Sequence, residues 1–164
     1  MSPTDPLETL VLRVNGRDRE ARAGASATLL AALREDLGLV AARFGCGTEQ
    51  CGACVVLVDG RPAYACTLPV SAAAGRKITT LEGLAANGRA HALQEALLAE
   101  QAAQCGYCLS GITMRAAALL AATPDPSEDE VRSALDAHLC RCGSHNRIVR
   151  AVMRAASAMR EEAR

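Results

Sequence analysis

The chain has 164 residues, half of them hydrophobic, yet it contains only one Phe, two Tyr and no Trp. Its 18 basic and 18 acidic side chains give a formal net charge of zero, which argues against a nucleic-acid partner because such binding usually needs a basic patch. No run approaches the roughly 18 apolar residues of a membrane span, and the first residues lack a signal-peptide pattern. We therefore expect a cytoplasmic protein without direct membrane insertion, exported only as the passenger of a partner that carries a signal.

The first part of the sequence predicts a hairpin followed by a helix. Residues 8–24 should form two strands about Asn15-Gly16, a strong type I′ turn sequence. Apolar residues then repeat at helical spacing. Ser26 or Thr28 can cap that helix, and Gly38 can end it.

A glycine-rich loop and a second hairpin are predicted next. The loop covers residues 40–54, and the hairpin pairs residues 55–58 with 62–65 about Asp59-Gly60. A short strand near residues 77–80 should complete the sheet.

The remaining sequence predicts only helices. Residues 84–90, with a turn at Asn87-Gly88, form a predicted linker. Ser127 and Glu130 make a capping box at one helix start. The predicted helices cover about 91–103, 109–122, 127–139 and 146–162.

These elements together predict an α+β fold with two domains. The first, residues 1–83, holds the sheet, and the second, residues 84–164, is helical. We expect His91 to start a helix and His145 to lie in a turn.

All eight cysteines fall into two sets of four, which is the ligand count of two metal centres. In a reducing cytosol, metal ligation is favoured over disulfide formation. The first set is spaced C-x4-C-x2-C-x11-C and the second C-x2-C-x31-C-x-C. The first set is Cys46, Cys51, Cys54 and Cys66, and the second is Cys105, Cys108, Cys140 and Cys142.

The first set has the spacing of a plant-type [2Fe–2S] centre. Small residues between the cysteines would let the backbone wrap a cluster closely. Cys54 and Cys66 lie almost symmetrically about Asp59-Gly60, so the hairpin should return Cys66 to the loop. Structural zinc is the alternative, but zinc sites usually use two C-x2-C knuckles. The spacing therefore favours an iron–sulfur cluster.

The second set is ambiguous between zinc and iron–sulfur on spacing alone. Each of its pairs lies at a predicted helix end, where backbone amides stabilise thiolate charge. A neighbouring iron–sulfur site raises the odds of a second one. Two one-electron centres in adjacent domains would make a relay.

Four segments resemble the two-cluster iron–sulfur subunits of molybdenum hydroxylases, a family that includes xanthine dehydrogenase, aldehyde oxidoreductases and carbon monoxide dehydrogenase. The resemblance covers about residues 8–160. The segments are Phe44-Gly-Cys-Gly47, Cys51-Gly-Ala-Cys54, Gln104-Cys-Gly-Tyr-Cys108 and Leu139-Cys-Arg-Cys-Gly143.

The resemblance implies a β-grasp ferredoxin domain followed by a four-helix-bundle domain, each with one [2Fe–2S] cluster. It also implies a large partner subunit with a molybdopterin-type molybdenum cofactor, and an acceptor that is an FAD subunit or a cytochrome c haem. Electrons would leave the molybdenum centre through the helical-domain cluster and then the plant-type cluster. Gln104 and Cys142 match the positions that approach the partner's pterin.

Within the family, three segments look like the small subunits of nicotinate and isoquinoline dehydrogenases, which implies an N-heteroaromatic substrate for the complex. Small subunits of aldehyde, xanthine or carbon monoxide dehydrogenases are the alternative. Two alternatives belong to other functional classes, namely a free-standing ferredoxin and a structural zinc protein that acts as an adaptor. The segments are 74–83, 100–108 and 140–145.

Four positions depart from the common family pattern, namely Ala41, Arg43, Ser110 and His138. None removes a cysteine, so the expected consequence is altered hydrogen bonding near the clusters. We expect His138 to be a structural or interface residue, since eight thiols already fill both centres. We find no candidate catalytic residue, which predicts a non-catalytic subunit of an oxidoreductase.

Overall fold

The computed structural model describes residues 7–24, 26–85 and 88–164. Strand β1 (Leu7–Val14) pairs antiparallel with β2 (Arg17–Gly24). Asn15 and Gly16 between them both have positive φ, as the predicted type I′ turn requires. The first predicted hairpin is therefore confirmed.

The second hairpin consists of β3 (Val55–Val58) and β4 (Arg61–Tyr64) about Asp59-Gly60, which again has two positive φ angles. Strand β5 (Lys77–Thr79) pairs parallel with β1 and antiparallel with β3. The five strands form one mixed sheet in the order β2-β1-β5-β3-β4. The sheet thus places the second hairpin, which follows the cysteine loop, at one edge.

The predicted first helix starts where expected but has an unexpected form. Helix α1 (Leu29–Ala31) is capped by Thr28, whose Oγ1 accepts a hydrogen bond from the Ala31 amide at 3.3 Å. The helix then widens into a π-helical segment, Ala32–Asp36, before Gly38 turns the chain with φ of 67°. Apolar periodicity cannot separate these two helix types, because both bury one face.

Two short elements escaped prediction. Helix α2 (Val70–Ala73) buries Val70 and Ala73, and a 3-10 turn, Leu81–Gly83, follows β5. Both are too short to show a period in the sequence.

The second half of the chain is helical as predicted. The helices are α3 (Ala92–Ala99), α4 (Leu109–Ala122), α5 (Glu128–Leu135) and α6 (His145–Glu162). His91 caps α3 and Ser127 caps α5, each in a capping box. His145 does not lie in a turn, since it is the first residue of α6.

Helices α3 and α5 end earlier than the sequence predicts. After α3, Gln101 takes a left-handed conformation with φ of 47°, which stops the helix before the second cysteine set. After α5, the chain leaves the helix by Asp136. This early end of α5 lets residues 138–140 reach the first cysteine loop. Of the predicted linker, residues 86 and 87 lie outside the described ranges, and Gly88 has φ of 73°.

Apolar side chains fill three buried clusters that fix the α+β architecture. One lies between the sheet and α1, and a second lies among α3, α4, α5 and α6. The third joins Val55 and Leu57 of β3 to Met114 of α4. This third cluster ties the helical half to the sheet strand that follows the first cysteine loop. No helix in the described ranges is long and apolar enough to cross a membrane.

Candidate metal centres

The first cysteine loop gathers backbone amides around two sulfurs. The amides of Thr48 and Gln50 donate to Cys46 Sγ at 3.4 Å and 3.2 Å, and the Cys46 amide donates to Cys51 Sγ at 3.3 Å. A Cβ on Gly45 would lie 2.6 Å from Cys51 Sγ. The loop can therefore wrap this closely only because residue 45 is glycine.

The second hairpin brings the last cysteine of this set to the loop. Cys54 directly precedes β3 and Cys66 follows β4, so both lie at the open end of the hairpin. Their Sγ atoms are 3.2 Å apart. Both side chains are buried. The hairpin thus delivers Cys66 to the place that the symmetric spacing about Asp59-Gly60 predicted.

The side chains of Cys46 and Cys51 also interact with each other, so the first set consists of two sulfur pairs. The two pairs differ in their electrostatics. Hydrogen bonds from the Thr48 amide, and to a smaller degree from Gln50, lower the pKa of Cys46 to about 6. Burial raises the pKa of Cys54 to about 12, and the neighbouring Cys66 thiol adds to the effect while the Cys66 amide opposes it. Cys46 would therefore bind a metal ion or cluster as an already deprotonated thiolate, whereas Cys54 would have to lose its proton first.

The second set also places its sulfurs in pairs. Cys142 Sγ lies 3.4 Å from Cys105 Sγ, and Cys108 and Cys140 interact with each other. A shallow depression is lined by all four of these cysteines and by Gln104. The structure therefore brings together two cysteine pairs that are far apart in sequence, with Gln104 exposed at their rim.

Backbone amides again act on one side of this set. The Tyr107 amide, followed by the contact with Cys142, lowers the pKa of Cys105. Burial, followed by Cys140, raises the pKa of Cys108 to about 12. Burial acts in the same direction on Cys140, but hydrogen bonds led by the Ser144 amide outweigh it and lower its pKa.

The two cysteine loops touch through an inter-loop contact formed by Gly52, Gly111, His138 and Leu139. A Cβ on Gly52 would overlap the His138 ring, and a Cβ on Gly111 would overlap the Gly52 carbonyl. The Leu139 amide donates to the Cys51 carbonyl at 3.1 Å. Gly52 also has φ of 72°. Only glycine satisfies both the conformation and the close approach at that position.

His138 lies at the centre of this contact with 2% of its surface exposed. Burial, with the charge of Arg115, lowers its pKa to about 4, so the ring is neutral at pH 7. Among the described residues neither ring nitrogen has a hydrogen-bond partner, and neither does the buried Ser110 hydroxyl. Both positions depart from the family pattern, and both are buried.

Sequence reasoning missed further contacts beside the cysteine segments. The Tyr107 hydroxyl donates to the Phe44 carbonyl at 2.6 Å, and the Arg43 guanidinium lies 5.8 Å from the Tyr107 ring centre. His145 Nε2 lies 3.1 Å from the His138 carbonyl oxygen. The Tyr107 contacts join residues far apart in sequence, and no spacing rule reveals them.

The residues present fit two-iron clusters. Cluster ligation requires four thiolates, two for each iron, and each set supplies two sulfur pairs with amide donors beside them. Within the described residues, no group of three or more His, Cys, Asp or Glu side chains is placed to hold one metal ion.

Comparison with known proteins identifies both halves. Residues 12–80 match the 2Fe-2S iron-sulfur cluster binding domain, and residues 80–153 match the [2Fe-2S] binding domain. A subunit of the nicotinate dehydrogenase of Pseudomonas putida is 50% identical over 153 residues, which cover 93% of this chain and 98% of that protein. The chain belongs to the iron–sulfur small subunits of the molybdenum hydroxylases. It is thus an electron-transfer subunit with two [2Fe–2S] clusters.

Other family members support the same assignment. The alpha chain of isoquinoline 1-oxidoreductase from Brevundimonas diminuta is 49% identical, covering 79% of this chain and 85% of that protein. The crystal structure of quinoline 2-oxidoreductase from Pseudomonas putida matches with a TM-score of 0.90 and 36% identity, covering 94% of this chain and 97% of that one. The resemblance drawn from four short segments is therefore confirmed, as is the α+β fold.

Gly52→Ala should disrupt the inter-loop contact. The substitution adds a left-handed alanine, at about 1–2 kcal/mol, and a steric overlap with His138, at about 1–3 kcal/mol. We expect a lower thermal midpoint and loss of iron from the purified protein, measured by thermal unfolding and metal analysis.

Gly60→Ala is the matched control, because Gly60 also has positive φ but a Cβ added there would meet no atom within 4 Å. It should show only the conformational cost. Combining Gly52→Ala with His138→Ala should recover part of the loss, since the overlap is removed. Equal effects of the two glycine substitutions would show that the close approach is unimportant.

The pKa contrast predicts the order of thiol reactivity in metal-free protein. Because the pKa of Cys46 is lowered to about 6 and that of Cys54 is raised to about 12, Cys46 is mostly thiolate above pH 6 and Cys54 stays protonated. Alkylation of Cys46 should rise through pH 6 and level off by pH 8, while Cys54 stays unmodified, as peptide mapping by mass spectrometry would show. Equal labelling of both cysteines at pH 7 would contradict this assignment.

Proposed function

We propose that Cys46, Cys51, Cys54 and Cys66 hold one [2Fe–2S] cluster, and that Cys105, Cys108, Cys140 and Cys142 hold the other. The observation that carries this proposal is the arrangement of each set as two sulfur pairs beside converging amides. A bound [2Fe–2S] cluster accepts and releases one electron at a time. We also propose that the chain divides near residue 83 into one unit for each set.

The protein's own contribution is to hold and shield these sites. Amides aimed at Cys46 and Cys105 stabilise negative charge on the sulfurs. The inter-loop contact keeps the two cysteine loops together, since Leu139 next to Cys140 is hydrogen-bonded to the Cys51 carbonyl. No bond chemistry on substrate is assigned to this chain.

The partner is proposed to be a large subunit with a molybdopterin-type cofactor, next to Gln104 and Cys142. Gln104 is exposed on the depression lined by the second cysteine set, so a partner can reach it. In the aldehyde oxidoreductase of Megalodesulfovibrio gigas, the similar region is only 16% of a much longer protein. Because the similar region is joined to much further protein there, we expect the corresponding residues here to pack against further protein as well. We propose that this assembly is cytoplasmic.

An N-heteroaromatic compound is the proposed substrate class of the complex. Two relatives named for nicotinate are 50% and 40% identical, one named for isoquinoline is 49% identical, and one named for nicotine is 41% identical. Relatives named as aldehyde oxidoreductases are 35% and 39% identical, so aldehyde oxidation is the second candidate. The electron acceptor is proposed to be an FAD subunit or a cytochrome haem.

Purification of the tagged chain together with the products of its neighbouring genes tests the assembly. We expect a large molybdenum-containing chain to copurify, with about four irons for each small chain and two reduced-state electron paramagnetic resonance signals. Reduction of the complex by nicotinate or isoquinoline, but not by an aldehyde, would support the substrate class. A colourless protein with zinc in place of iron would refute the cluster assignment, and a soluble iron-containing chain without partner would favour a free ferredoxin.

Cys142→Ser tests the position of the second set in the relay. The change removes one thiolate of the Cys105–Cys142 pair, so the electron paramagnetic resonance signal of the helical-domain cluster should be altered. Reduction of the plant-type cluster by substrate should slow, while its reduction by dithionite should persist. Unchanged reduction by substrate in stopped-flow measurements would contradict the proposed order.

A further inference from the structure

Glu49 has an unusual backbone conformation within the first cysteine loop. Besides glycines, four described residues have positive φ, namely Asn15, Glu49, Asp59 and Gln101. Asn15 and Asp59 begin two-residue hairpin turns, and Gln101 ends α3. Glu49, with φ of 62°, has no such role. A bulky residue in the left-handed region is uncommon and points to a local function.

The conformation of Glu49 explains why two amides meet at one sulfur. Thr48 and Gln50 flank it, and both amides donate to Cys46 Sγ, at 3.4 Å and 3.2 Å. Successive amides around a left-handed residue form a concave site for negative charge. If Glu49 returned to an ordinary right-handed or extended conformation, the two amides would point in different directions.

The Glu49 side chain is fastened to the hairpin segment that carries the last cysteine of the set. The Thr67 hydroxyl donates to Glu49 Oε1 at 2.5 Å and lies 3.2 Å from the Tyr64 carbonyl oxygen. Thr67 directly follows Cys66. This contact between Glu49 and Thr67 joins the tip of the loop to the other end of the site.

We propose that Glu49 is a positioning residue for the first cysteine set. Held by Thr67, its left-handed backbone aims the Thr48 and Gln50 amides at Cys46 and thereby raises the reduction potential of the cluster bound there. Hydrogen bonds to sulfur stabilise the more negative, reduced state. The inference rests on the proposed ligand set, and it adds a residue that is not itself a ligand.

Four variants of the intact complex distinguish the effects of the Glu49 backbone conformation, of its hydrogen bond with Thr67 and of its negative charge. Glu49→Ala removes the contact and leaves a residue that avoids positive φ. Glu49→Gly removes the contact but keeps positive φ accessible. Thr67→Val removes the hydroxyl at nearly constant shape. Glu49→Gln keeps a hydrogen-bond acceptor and removes the charge.

The measurement is a redox titration of both clusters, followed by electron paramagnetic resonance, with the second cluster as internal reference. For Glu49→Ala and Thr67→Val we expect the equilibrium constant for electron transfer from the second to the first cluster to fall about tenfold, which is about 59 mV for a one-electron couple. Glu49→Gly and Glu49→Gln should stay within about threefold of the parent, or about 30 mV by the same relation.

The direction in which the reduction potential of the first cluster shifts distinguishes a positioning role of Glu49 from a direct effect of its charge. Loss of a carboxylate by itself would raise the potential of a nearby cluster, whereas loss of the amide bonds lowers it. A raised or unchanged potential in Glu49→Ala and Thr67→Val, with full iron content, would overturn the proposal. If Glu49→Ala does not retain iron, Thr67→Val and Glu49→Gly still decide it. Absence of two iron–sulfur signals in the parent complex would instead refute the proposed ligand set.

Discussion

The close approach of Gly52 to the helical half is the contact on which the arrangement of both sites depends. Gly52 lies between Cys51 and Cys54, and it packs against His138 on one side and Gly111 on the other. Its positive φ bends the loop that carries the first cysteine set. A single residue without a side chain therefore shapes one cysteine loop and lets the other come into contact with it.

The elements around that contact are arranged to support it. Met114 of α4 packs on Val55 and Leu57, so the helix that begins beside Cys108 is fixed to the strand that follows Cys54. Helix α5 ends early enough for the chain to reach the loop, and the Leu139 amide satisfies the Cys51 carbonyl. His145, at the start of α6, lies within hydrogen-bond distance of the His138 carbonyl oxygen. Three helices thus fix the position of one short segment.

The sequence predicts well those features that neighbouring residues determine, and poorly those that depend on contacts between distant residues. Both hairpin turns, the capping box at Ser127 and the helix start at His91 are set by neighbouring residues, so spacing and residue type were enough to place them. The return of Cys66 to the loop followed from hairpin symmetry. The π-helical segment, the early end of α5 and the burial of His138 depend on packing between distant residues. No periodicity in a single sequence shows such packing.

The departures from the family pattern illustrate the same limit. Ser110 and His138 are polar residues that sequence reasoning could place only near the second cysteine set. The structure buries both, and within its described residues leaves the hydroxyl and both ring nitrogens unpartnered. An unpaired buried polar group costs stability unless water or a bound group completes it. For His138, the burial follows from its position against Gly52, where the two cysteine loops meet.

Both cysteine sets share one electrostatic design despite their different folds. Cys46 and Cys105 are exposed, and backbone amides lower their pKa, whereas burial raises the pKa of Cys54 and of Cys108. In the loop of the first set the amides come from a left-handed turn, and in the second set they come from the segment before α4. Each site therefore stabilises negative charge on its outward side and shields its inward side. Because Cys54 and Cys108 lie close along the chain to Gly52 and Gly111 of the inter-loop contact, the packing that covers these cysteines also joins the two sites.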